Sequence, residues 1–164
     1  MAYPRENEKK GVAEAAVDYA AEMPRIPGQH EYVSLLGLRS FDAASLARRI
    51  EDGLSYVAFR KLKGRLKVSS VELADAALIA HRTLARRKQA GRMQPDESDR
   101  LVRLARVFSR AIELYGGDED AARAWIKRPI RAFGGVSVLE MAKTEVGARE
   151  VEKLIHQIEH GVVI

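Results

Sequence analysis

Cysteine is absent from this 164-residue chain. Without a thiol there is neither a disulfide framework nor a thiolate metal site, so the fold has to rest on ordinary packing. Long apolar runs are missing too. No stretch approaches the roughly 18 consecutive apolar residues of a membrane span, although 46% of the chain is apolar. The opening Met1-Ala2-Tyr3-Pro4-Arg5-Glu6-Asn7-Glu8-Lys9-Lys10 lacks the apolar segment of a secretory signal. Glu14, Asp18 and Glu22 in the Ala-rich stretch behind it are unlike an acid-poor transit peptide. These absences predict a soluble cytoplasmic protein with no membrane partner. A chain of this length buries roughly two thirds of the surface its unfolded form exposes, enough for one domain or two small ones.

What is abundant is charge, 31% of residues with a net of +5, and it is unevenly placed. Residues 46–110 carry sixteen Lys and Arg against seven Asp and Glu, a net of +9, whereas residues 1–45 and 111–164 each carry −2. A basic middle between acidic flanks fits one part that meets phosphate and another that meets something else. Equally, it fits a helical middle whose solvated faces happen to use arginine.

Apolar residues recur at spacings of three and four and nowhere alternate as a strand would, which predicts an all-α fold. Residues 1–30 read as a mobile or loosely docked arm, because their one short helix, Gly11 to Met23, has a thin apolar face and ends at Pro24 and Pro27-Gly28. A short helix is expected over Glu31 to Leu38. Next come a helix capped by Asp42 and ended by Gly53, with Leu46 and Ile50 inward, and a helix from Ser55 to about Lys67 on Phe59, Leu62 and Leu66. Two short helices follow Ser70. A long amphipathic helix then runs from about Asp96 to Tyr115 and ends at Gly116-Gly117. The last third holds a helix from about Asp118 to Lys127, a stop at Pro129, a Gly134-Gly135 turn, and a capping box at Ser137-x-x-Glu140. It closes with a helix from about Glu145 to His160, with Val151, Leu154, Ile155 and Ile158 inward and Gly161 as its cap. Domains are expected at 31–95 and 96–164.

The stretch from Val71 to Lys88 reads as two short helices joined by a tight turn. Leu73, Ala74 and Ala77 would pack against Ile79 and Leu84, with small Ala74 permitting the close crossing of a helix-turn-helix. Its second helix would present His81, Arg82, Thr83, Arg86, Arg87 and Lys88, the DNA-facing candidates. Arginine suits guanine edges and phosphate alike, while Thr83 would cap the helix or touch phosphate. The turn position usually held by glycine is Leu78, at a cost of about 1 kcal/mol if its φ must be positive. Either the turn is rebuilt or the unit is a scaffold rather than a reader.

Three further patterns bear on chemistry. His156-Gln157-Ile158-Glu159-His160 matches the inverted zincin pattern. That catalytic site needs a third protein ligand downstream, and none of the four following residues offers one, so it reads as a polar helix end with histidines at the negative end of the dipole. Gly116-Gly117-Asp118-Glu119 resembles a nucleotide-cyclase loop but is accounted for as a glycine cap followed by an Asp cap. No constellation of nucleophile and base is present, so neither enzyme activity nor a cofactor is expected. The tail Gly161-Val162-Val163-Ile164 brings three consecutive β-branched residues to the end of the sequence. It either folds back on its own domain or inserts into a partner.

The residues Ala124-Trp125-Ile126-Lys127-Arg128-Pro129-Ile130-Arg131-Ala132-Phe133-Gly134-Gly135, then Val138-Leu139-Glu140-Met141, Gly147-Ala148-Arg149-Glu150-Val151 and Ile158-Glu159-His160-Gly161, resemble the toxin-binding domain of Xre/MbcA/ParS antitoxins. The resemblance covers about 107–164. With the Xre-like segment at 46–95, the chain is most similar to the antitoxins of RES–Xre type II operons. That resemblance implies neutralisation of a RES-domain, NAD-consuming toxin by blocking its NAD pocket, homodimerisation, and binding of operator DNA for autoregulation. The implied toxin-binding residues are Trp125, Pro129, Arg131, Gly134, Gly135, Glu159, His160, Gly161, Val162, Val163 and Ile164, with Glu159 to Ile164 as the plug. Leu78, Phe133 and Val138 depart from the family pattern. The alternative is a stand-alone regulator whose C-terminal domain only dimerises.

Overall fold

The structure, a computed structural model, describes residues 32–39 and 42–161. The expected N-terminal arm and the last three residues lie outside that range. The described chain is all-α apart from one small sheet. Its helices are α1 (Tyr32–Leu35), α2 (Ala43–Asp52), α3 (Tyr56–Leu66), α4 (Ser70–Ala76), α5 (His81–Ala90), α6 (Pro95–Leu114), α7 (Glu119–Lys127), α8 (Val138–Met141) and α9 (Glu145–Glu159).

Local capping sets most boundaries. Asp42 accepts from the Ser45 N–H at the head of α2, and Asp118 from the Asp120 and Ala121 N–H groups at the head of α7. Reciprocal capping boxes open α4 (Ser69 with Glu72), α6 (Gln94 with Glu97) and α8 (Ser137 with Glu140). Ser70, expected to precede α4, is its first residue, because Ser69 is the serine with glutamate three positions on.

The 20 residues of α6 form the axis, about 30 Å long. It packs against α1, α2, α3, α7 and α9. Leu101, Leu104, Ala105 and Phe108 are almost fully buried along it, and one contiguous core runs from Val33 to Ile155. Where α3 ends, Arg123 and Lys127 of α7 donate to the carbonyls of Arg65 and Lys67 at 2.9 Å each, so cations satisfy the orphan acceptors at a helix C-terminus.

Two expectations are corrected here. Pro129–Ile130 (β1) and Val136–Ser137 (β2) pair antiparallel, Pro129 opposite Ser137 and Ile130 opposite Val136. Strands of two residues are too short for alternation to register. The Gly134-Gly135 turn, with φ of 68° and 87°, creates them. Ile158, expected inward, is 45% exposed, because the buried stripe of α9 ends at Leu154 and Ile155.

Candidate functional site

The first site is built by α4 and α5. Leu73, Ala74, Ala77, Ile79 and Leu84 are buried together, as a helix-turn-helix requires. The turn is not rebuilt around Leu78, which takes φ 53° while its side chain stays 55% exposed. Its N–H donates to the Asp75 carbonyl at 3.1 Å and the next N–H, of Ile79, to Ala74 at 2.8 Å. This is the paired bonding of a Schellman helix end, with leucine where glycine is usual. From α6, Arg100 Nε donates to the Ala77 carbonyl at 2.6 Å and braces the turn.

Ala80 precedes α5 without a side-chain cap, and Thr83 is the third residue of the helix rather than its cap. Arg82, Thr83 and Arg86 line a shallow cavity of about 250 Å³. Among the described residues no carboxylate pairs with Arg82, Arg86 or Lys88, and all three are exposed. His81 Nε2 lies 3.4 Å from Asp75 Oδ1. The expectation that Arg87 stands with these residues is not met. Its Nε donates to both oxygens of Glu97, at 3.0 and 2.8 Å, with side chains 13% and 5% exposed. Glu97 also accepts from the Gln94 N–H, so this pair ties α5 to the head of α6.

The arginines of α6 face carboxylates instead. Arg100 pairs with Asp96, Arg103 with Asp99 and Glu145, Arg106 with Glu145 and Glu152, and Arg110 with Glu113 and Glu159. Burial works to raise the Glu145 pKa, but the Arg106 charge and hydrogen bond, with Arg149 and Arg103 behind them, hold it below its ordinary value. The Arg106 guanidinium, despite its own desolvation, is raised by Glu152 and Glu145. Arg65 and Lys67 at the end of α3 pair with Glu119 and Asp120. Arg65, Lys67, Arg103, Arg106 and Arg110 of the basic middle thus pair with acids of the last third, whereas Arg82, Arg86 and Lys88 of α5 do not.

The second site is the last third. Trp125 is buried and tilts against Tyr115 with ring centroids 6.4 Å apart, so it builds the unit rather than its surface. Pro129, Arg131, Gly134 and Gly135 are exposed on the β1–β2 hairpin. Gly147 is required by close approach, since a Cβ there would sit 1.9 Å from the Met141 carbonyl oxygen where α8 meets α9. Glu159, His160 and Gly161 stand exposed at the end of α9, and Val162, Val163 and Ile164 lie outside the described residues.

Two matches decide the family. Residues 110–161 match the family model of the antitoxin Xre/MbcA/ParS C-terminal toxin-binding domain, and residues 45–106 that of the antitoxin Xre-like helix-turn-helix domain. The chain belongs to the Xre antitoxin family. Proteins named antitoxin Xre from Photorhabdus laumondii and Yersinia enterocolitica are 36% and 35% identical to it, over 78% and 77% of this chain and 87% and 86% of theirs. One from Pseudomonas putida is 34% identical over 86% of this chain and 91% of its own.

In this Xre-family chain the two matched regions meet inside α6. Among the described residues no helix is long and apolar enough to cross a membrane. A surface the sequence reading missed lies beside the hairpin: Phe133, Met141, Leu154 and Gln157 help line a cavity of about 290 Å³ rimmed by Glu150 and Lys153. Glu150, Lys153 and Gln157 at spacings of three and four mark one polar edge of α9. Only the folded hairpin shows that this edge borders a recess.

Proposed function

We propose that this antitoxin neutralises a RES-domain, NAD-consuming toxin encoded beside it by lodging Glu159 to Ile164 in the toxin's NAD pocket. As a cytoplasmic homodimer it also represses its own operon through α5. One observation carries the reading: a single chain joins a toxin-binding domain to a helix-turn-helix whose Arg82, Arg86 and Lys88 pair with no carboxylate among the described residues. Trp125, Pro129 and the Gly134-Gly135 turn present the plug. Arg131, exposed on the hairpin, adds a cation to the contact. Three β-branched side chains, fully buried in a cleft, would contribute about 5 to 9 kcal/mol gross before ordering costs.

The test is co-expression with the neighbouring toxin. Deletion of residues 161–164 is expected to leave a protein with unchanged circular dichroism and melting that no longer protects cells. Full protection by the truncated form overturns the plug. A neighbouring gene with no RES domain, together with retained operator binding, would instead favour the stand-alone regulator.

A further inference from the structure

The end of α9 gathers three metal-donor groups on one face. One ligand atom each from His156, Glu159 and His160 can be chosen so that all lie within 4.8 Å of one another, on exposed side chains. The sequence supplies the two histidines of this motif at i and i+4. The helix supplies the third donor itself, because positions i, i+3 and i+4 share one face.

The surroundings favour a cation. His160 Nδ1 donates to the His156 carbonyl at 2.8 Å, the kind of outer hydrogen bond that orients a metal-bound histidine and turns its Nε2 toward the ion. Glu159 is held by Arg110 at 3.1 Å, and Arg110 is itself paired with Glu113. The three charges, of Arg110, Glu113 and Glu159, sum to −1. The group also sits at the C-terminal end of the helix dipole.

We propose that His156, Glu159 and His160 bind one divalent transition ion of the Zn2+ or Ni2+ class, with water completing its coordination. Two imidazoles and one carboxylate suit these ions rather than Mg2+ or Ca2+, which select all-oxygen sites. The ion would clamp the last turn of α9. This proposal does not depend on the toxin.

The full-length chain, freed of any affinity tag and stripped with chelator, is titrated calorimetrically with Zn2+ and separately with Mg2+. One Zn2+ per chain, no measurable Mg2+ binding and a rise in Tm with Zn2+ are expected. His156→Ala and His160→Ala should each weaken Zn2+ binding at least tenfold, and His81→Ala should leave it unchanged. All three substituted side chains are exposed, so circular dichroism of each variant should match the parent. Absence of Zn2+ binding, or unchanged binding and Tm shift in the H156A/H160A double variant, overturns the site.

Discussion

Arginine does two different jobs in α5 and α6. In α6 every arginine reaches a carboxylate, and three of them, Arg103, Arg106 and Arg110, cross to acids of the last helix. In α5, Arg82 and Arg86 reach no carboxylate among the described residues, whereas Arg87, one position on from Arg86, turns inward to Glu97. The difference teaches that net charge by segment does not measure a binding surface. A helix face that packs on an acidic neighbour consumes its cations, and only the face without such a neighbour keeps them for phosphate.

The largest break in this contrast should come from Arg87→Ala. It leaves Glu97, 5% exposed, with its charge unpaired, and should cost about 3 kcal/mol in urea denaturation. A loss under half that size would return Arg87 to the exposed set. Next, Arg82→Ala with Arg86→Ala should leave the melting curve unchanged while weakening binding to the DNA upstream of the gene by about 100-fold. The slope of log affinity against log salt should fall by about two if both contact phosphate. An unchanged slope removes them from the interface.

Arg106→Ala should cost about 1 to 2 kcal/mol, since its partners are only partly buried. It also makes a pH prediction. Glu145 titrates below its ordinary 4.5 in the fold, so its contribution is present above that value and is lost as pH falls through the lowered one. Melting followed from pH 6 to pH 3 should therefore show a steeper acid loss for the parent than for the variant. The smallest effect is a gain: Leu78→Gly should stabilise by about 0.5 to 1 kcal/mol, by relieving φ 53° at a side chain that buries little. A decrease in Tm would show that Leu78 packs more than its exposure suggests.

Local signals carried much of the architecture into the sequence. Asp42, Ser55, Asp118, the Ser137-x-x-Glu140 pair and the spacing of Leu101, Leu104 and Phe108 act within one or two turns, and each specified its element. Interactions between distant segments were not legible. The partner of Arg87 is ten residues away and that of Arg106 up to forty-six, and nothing near either arginine says which carboxylate it will meet. The β1–β2 hairpin and the recess beside Phe133 depend on how the Gly134-Gly135 turn lies against α9. Trp125 illustrates the converse, a residue marked as important by its motif whose importance is structural.

The length of α6 has a kinetic consequence. Because its first half completes the helix-turn-helix and its second half supports α7 and α9, neither half keeps its core if the other opens. Amide hydrogen exchange along α6 should therefore follow a single opening free energy from end to end, close to that of global unfolding, with no slow and fast halves. A protease that needs an unfolded stretch of this axis would then have to wait for the whole molecule.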